Sequence, residues 1–106
     1  MTERTIISAT IDWEGITLLI NYEPDWLSLG ERFPNMHPAH LEVKSIKPER
    51  ARLPFTETGY RSSFLAIEEI EAAGGAVAFV EAWLAEAANT QEWREYRAAS
   101  QQLSLF

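Results

Sequence analysis

Between Thr5 and Tyr22 the chain alternates twice, and only Glu14-Gly15 separates the two runs. Ile7, Ala9, Ile11 and Trp13 fall on one face of the first run, with Ile6, Ser8, Thr10 and Asp12 on the other. Ile16, Leu18, Ile20 and Tyr22 share a face of the second. Side chains of a strand point alternately to its two faces, so period two with β-branched residues predicts two strands. Glycine admits the positive φ of a tight connection. The chain therefore opens with an antiparallel hairpin whose apolar face must find a cover.

Glu23-Pro24 ends the second strand, because proline cannot donate to a sheet ladder. Asp25 to His40, with Gly30, Pro34, Asn35 and Pro38, reads as a loop with one helical turn at Asp25–Leu29. Trp26, Leu27, Leu29 and Phe33 are expected to pin it to the core. Leu41 to Ile46 reads as a third strand and Lys47 to Arg52 as a polar connection. Leu53-Pro54-Phe55 reads as a short edge strand. From Thr56 to Phe64 the expectation is a turn at Gly59, flanked by hydroxyls that satisfy loop amides. Ile67 to Ala73 is helix-prone, and Gly74-Gly75 stops it. Ala76 to Ala88 is the clearest helix: Val77, Val80, Trp83, Leu84 and Ala87 recur on one face while Glu81 and Glu86 face away. Asn89-Thr90 supplies a break and an N-cap. Gln91 to Ser100 is helical again, with Trp93, Tyr96 and Arg97 on one side, and the final five residues are expected to leave it. Strands first and helices after predict an α+β fold. It is a three- to four-stranded antiparallel sheet, the N-terminal hairpin plus a third strand, packed by C-terminal helices. Residues 1–101 form one domain and 102–106 a tail.

The formal charge is −7 over 106 residues, and it is unevenly spread. Lys44, Lys47, Arg50, Arg52 and Arg61 make the middle basic, whereas Glu68, Glu69, Glu71, Glu81, Glu86, Glu92 and Glu95 dominate the last part. A net-acidic chain gains nothing overall from neutralising phosphates, so direct nucleic-acid binding is not expected. No apolar run reaches the roughly 18 residues of a transmembrane helix, and Met1-Thr2-Glu3-Arg4 does not open a secretory signal. The sequence has no cysteine, which excludes disulfides, thiolate metal sites and cysteine nucleophiles and fits a reducing cytoplasm.

Few residues suggest chemistry. His37 and His40 are the only histidines. Glu31 and Glu42 lie near them in sequence, but a zinc site needs three or four ligands and no spacing here demands one. They read as two loop histidines, and no metal or other cofactor is expected. Thr58, Gly59, Tyr60 and Arg61, followed by Ser62 and Ser63, have the residue types of an anion-binding turn. The bracketing glycines and lysine of a phosphate loop are absent, and no histidine is placed by sequence to activate Ser62 or Ser63. The plainer reading packs Tyr60 and Phe64 and lets Arg61 cap or pair. This stretch stands as a secondary surface. Glu68, Glu69 and Glu71 read as a solvated helix face near a favourable dipole end. No catalytic residue is expected, and the chain does not read as an enzyme.

The last five residues, Gln102, Leu103, Ser104, Leu105 and Phe106, are short, apolar and amphipathic. An apolar tail either folds back on its own core or serves a partner. All five positions match the pentapeptide by which bacterial proteins dock on the DNA polymerase sliding clamp, the β subunit of polymerase III, and the segment resembles that motif. Five specified positions, one of them two-fold degenerate, arise by chance at on the order of one in a million sites. The resemblance implies that Leu105 and Phe106 fill a deep apolar pocket, Gln102 reaches a neighbouring subsite, Leu103 adds contact and Ser104 is a spacer.

A wider resemblance runs through Ala9 to Trp13, His40 to Val43, Thr56 to Ser62, Ala73 to Gly75, Phe79 to Leu84 and Gln102 to Phe106. On these stretches the chain is similar to a group of small proteins of proteobacterial plasmids and other mobile elements. The resemblance implies a mobile-element setting and nothing about catalysis. With the tail, it suggests an adaptor linked to plasmid replication or maintenance. A homodimer would present two tails to a two-fold clamp and gain avidity. The alternative is a counter-defence protein, anti-CRISPR or anti-restriction, acting by protein binding or acidic DNA mimicry; a continuous acidic surface would favour it. A small enzyme would need a pocket joining Tyr60, Arg61, a carboxylate and His37 or His40.

Overall fold

The computed structural model of the protein describes residues 5–24 and 38–103, the last three as backbone only. Among the described residues seven elements follow in order: β1 (Ile7–Trp13), β2 (Ile16–Glu23), β3 (Pro38–Lys47), β4 (Tyr60–Ala66), α1 (Ile67–Ala73), α2 (Ala76–Ala88) and α3 (Gln91–Leu103). The four strands form one antiparallel meander in the order β1-β2-β3-β4. The fold is α+β, with the helices following the sheet and packed on one of its faces.

The predicted hairpin is present. Glu14 (φ 47°) and Gly15 (φ 84°) both take positive φ, the requirement of a two-residue turn whose twist matches its strands. Trp13 pairs with Ile16, so Ile11 meets Leu18 and Ala9 meets Ile20 on the inner face. Ile20 pairs in turn with Val43, and Tyr22 with Leu41. Leu18, Ile20, Leu41 and Val43 are shut off from solvent, and α1 and α2 close over them with Ile70, Val80 and Leu84, each fully buried. Full burial of such side chains stabilises by roughly 1.5–3 kcal/mol each relative to exposure.

Ser45 is the polar member of this core, at 0% exposure. Its hydroxyl donates to the Ala51 carbonyl at 2.7 Å, its N–H donates to the Gly59 carbonyl at 2.8 Å, and its carbonyl accepts from Arg50 N–H at 3.2 Å. One residue thus ties both ends of the β3–β4 connection.

Three sequence expectations are corrected. β3 starts at Pro38, so His40 lies in a strand rather than a loop; proline is tolerated at a strand's first position. Leu53-Pro54-Phe55 is a turn, closed by Leu53 N–H to Thr56 O (2.9 Å) and Thr56 N–H to Leu53 O (3.1 Å), and the fourth strand lies later, at Tyr60–Ala66, where a loop was expected. Finally, the backbone of Gln102 and Leu103 continues α3 rather than leaving it. The two glycines stop α1 as expected: Gly74 takes φ 104°, and Gly75 N–H reaches the Ile70 carbonyl. The loop anchors Trp26, Leu27, Leu29 and Phe33, the helical turn expected at Asp25–Leu29, Glu31 and His37 lie outside the described residues, as do Ser104, Leu105 and Phe106.

Candidate functional site

Because β4 is a strand, its alternation divides the stretch that sequence grouped as one turn. Tyr60 and Phe64 lie on the outer face, away from the helices, and Arg61, Ser63 and Leu65 on the inner one. The Tyr60 hydroxyl donates to Glu42 Oε2 at 2.6 Å; that bond first, and desolvation second, push the phenol above its ordinary pKa. The Thr56 and Thr58 hydroxyls are turned to the Tyr60 carbonyl, at 2.9 and 3.3 Å. Thr58, Gly59 and Tyr60 border a recess of about 350 Å³ with Lys44, Glu49 and Arg50. Arg61 is not among them. It points to the other face, where Nη1 donates to the Phe55 carbonyl at 3.2 Å and the guanidinium lies 5.4 Å from the Trp83 ring. The four residues of the predicted secondary surface are therefore shared between two places.

The second place is a cleft. α2 sets Val80 and Leu84 into the core, and the neighbouring stripe of the same helix carries Phe79 and Trp83, both half-buried. Phe55 stacks on Trp83 with ring centroids 4.1 Å apart, and Phe79 meets Trp83 edge-on at 6.1 Å. Phe79 and Trp83, with residues of β4 and α1, line a cavity of about 410 Å³. Leu65 and Ser63 contribute its β4 side, and the exposed carboxylates Glu69 of α1 and Glu86 of α2 stand at its border with Arg61. This volume falls within the roughly 300–1,000 Å³ of ordinary ligand-holding clefts.

A third feature is the mounting of α3. Thr90 caps it, accepting from Trp93 N–H at 3.1 Å, as the sequence predicted. Trp93, 4% exposed, lies against Trp13 with centroids 5.7 Å apart, and Tyr96 lies 5.3 Å from Trp93. Arg97 donates to the Glu14 carbonyl at 2.6 Å and pairs with the Glu14 carboxylate at 3.5 Å. Arg52 pairs with Glu92 at 3.2 Å and lies 4.5 Å over the Tyr96 ring. The helix that leads to Gln102 is thus fixed to the hairpin tip and to the β3–β4 connection. Of the predicted partner-binding residues, Gln102 and Leu103 are described as helical backbone, and the other three lie outside the described residues.

His40 is half-buried on the outer face, its ring 4.8 Å from that of Phe64. Among the described residues no group of three or more His, Asp or Glu is placed to hold a metal ion. None of the helices described is long and apolar enough to cross a membrane.

A family model described as the KlcB third domain matches residues 6–93. The chain belongs to the KlcB third-domain family. KlcB is plasmid-associated, and the family places this chain in the same plasmid-linked company. The match takes in the whole sheet, α1, α2 and the start of α3 as far as Trp93; the rest of α3 and the Gln102–Phe106 segment lie beyond it. No curated protein matches the chain, and no solved structure matches it.

The cleft of this KlcB third-domain fold was missed by sequence reasoning. Its aromatic walls read as ordinary core, and Glu69 and Glu86 belong to helices whose packing the sequence does not state. The available signal was an excess: Phe55, Phe79 and Trp83 are more aromatic surface than one helix stripe needs. They accompany a stretch from Ser62 to Trp93 that contains no lysine or arginine.

Proposed function

We propose that the protein is a plasmid-linked, non-enzymatic adaptor that docks on the sliding clamp of the bacterial replicative polymerase through Gln102, Leu103, Ser104, Leu105 and Phe106. One observation carries this reading: a segment matching the clamp-binding pattern at all five positions continues directly from a helix fixed to the body by Trp93, Tyr96 and Arg97. Leu105 and Phe106 enter the clamp's apolar pocket, Gln102 fixes register with its amide, Leu103 adds contact and Ser104 spans between them. Three large apolar side chains contribute roughly 1.5–3 kcal/mol each before costs. Ordering and lost translation leave a net of about −8 kcal/mol, a micromolar complex that exchanges readily.

The test is binding of the intact chain to immobilised clamp. The expected Kd is about micromolar. Replacing Leu105 and Phe106 by alanine should weaken it by at least about tenfold while the melting temperature moves by less than about 2 °C. Unaltered clamp binding, or a domain that unfolds on this replacement, would sink the reading.

A second reading, counter-defence by acidic mimicry, draws on one observation. α1 and α2 expose Glu68, Glu69, Glu71, Glu81 and Glu86 and carry no basic residue, while Lys44, Lys47 and Arg50 lie on β3 and the connection after it. Such a layer attracts a basic DNA-binding channel. Competition with duplex DNA for a restriction or CRISPR effector separates it from the clamp reading.

A further inference from the structure

We infer that the cleft between β4, α1 and α2 is a docking site for a peptide segment of a partner protein, one that presents an apolar side chain flanked by lysine or arginine. This inference stands apart from clamp binding, which concerns the opposite end of the helical layer's sequence and none of the same residues.

Three observations converge on that ligand chemistry. The cavity of about 410 Å³ is large enough to anchor a large side chain, and Phe79, Trp83 and Leu65 give it an apolar lining. Trp83 is held from behind by Phe55 at 4.1 Å, so the aromatic wall is preformed and binding need not order it. The border then selects by charge. Glu69 and Glu86 are exposed, and neither has an ion-pair partner among the described residues. Arg61, the one cation among the described residues that line the cleft, is engaged by the Phe55 carbonyl and the Trp83 ring. Glu68, Glu71 and Glu81 on the same two helices extend the negative field, which no basic residue of α1 or α2 offsets. An apolar anchor with cationic neighbours satisfies walls and border together; an acidic segment would be repelled, and the Gln102–Phe106 sequence of this chain brings no cation to the two carboxylates. Cations beside Trp83 gain further from the ring's negative face.

The experiment uses the full chain and two fluorescein-labelled hexapeptides, each with a central leucine-phenylalanine pair, one flanked by two lysines on each side and the other by two glutamates. The lysine-flanked peptide should bind with a Kd on the order of 10–100 µM, and the glutamate-flanked one at least about tenfold more weakly. Raising salt from about 0.05 to 0.5 M should weaken the former several-fold. Glu69→Gln with Glu86→Gln should weaken it about three- to tenfold, since exposed charge pairs are individually modest. Ala82 is exposed on α2 and lines the cleft, so Ala82→Trp should fill it without touching the core and reduce binding at least about tenfold, with clamp binding unchanged. Several results overturn the inference: equal binding of the two peptides, no binding at millimolar concentration, or binding indifferent to Ala82→Trp and to the two glutamine replacements. Two others assign the cleft elsewhere and overturn it equally. One is preferential uptake of a peptide spanning residues 102–106; the other is a dimer of the intact chain that Ala82→Trp dissociates.

Discussion

β3 and β4 are paired neighbours in one sheet, yet their inner faces have opposite characters. Ala39, Leu41, Val43 and Ser45 of β3 are at 0–1% exposure, whereas Arg61 of β4 is exposed and Ser63 and Leu65 are only half-buried. The helical layer accounts for the difference. α1 starts at the residue after β4, so the chain turns over the sheet from that edge, and α2 then runs back with Val80 and Leu84 seated in the central core. The cover is complete over the middle strands and lifts at the last one. Where it is complete the strand must be apolar; where it lifts, the strand accepts arginine and serine, and the gap becomes a cleft.

The largest expected effect sharpens this contrast. Leu41→Ala should cost about 2–5 kcal/mol in urea denaturation, the range for a cavity in a packed core. Leu65→Ala, on the same face one strand away, should cost less, about 1–2 kcal/mol, because Leu65 is only partly buried whereas Leu41 is shut off from solvent. Equal losses would mean that β4 is covered as tightly as β3, and the cleft would lose its basis. Next comes Gly59→Ala. At φ +75°, a Cβ there would lie 2.7 Å from the Arg50 carbonyl carbon and 2.8 Å from the Ala51 oxygen, both backbone atoms. A cost of about 1–3 kcal/mol is expected. A neutral result would show that the entry to β4 yields, and with it the register that sends Arg61 inward.

The smallest effect is on the outer face. The phenol of Tyr60 is raised from its ordinary 10.0 by its bond to Glu42, and that of Tyr22 by burial and then by Glu71. A phenol with a raised folded-state pKa stabilises below pH 10 and loses that contribution as pH climbs through the folded value. Tyr60→Phe should therefore flatten slightly the alkaline fall in melting temperature between pH 9 and 11. Because Tyr60 is 46% exposed, the change should be less than that from removing Tyr22. A larger change at Tyr60 would indicate that the open face is less solvated than its exposure states.

The contrast between β3 and β4 also explains what could be read from sequence. β1, β2 and β3 were legible because burial on one face writes itself as alternation, and α2 because its buried stripe repeats with helical period. β4 was not. Its inward positions include Arg61 and Ser63 and its outward ones Tyr60 and Phe64, so the polarity runs opposite to expectation, and the surrounding Thr56, Thr58, Ser62 and Ser63 read as turn chemistry. His40 was misplaced for a related reason, since Pro38 suggests a loop yet is admitted at a strand's start. The cleft was illegible because Glu69 and Glu86 approach one another only through the turn at Gly74-Gly75, a tertiary fact without local trace.

The pairing of Trp13 with Trp93 has a consequence in time. On the ribosome the hairpin emerges well before the tryptophan that shields its tip; at typical synthesis rates the delay is roughly 4–16 s. Until then the indole of Trp13 has no lid, and the nascent chain carries a sticky end open to chaperones or to a sister chain. Translation that stalls ahead of Trp93 would leave that end permanently bare and ready for degradation.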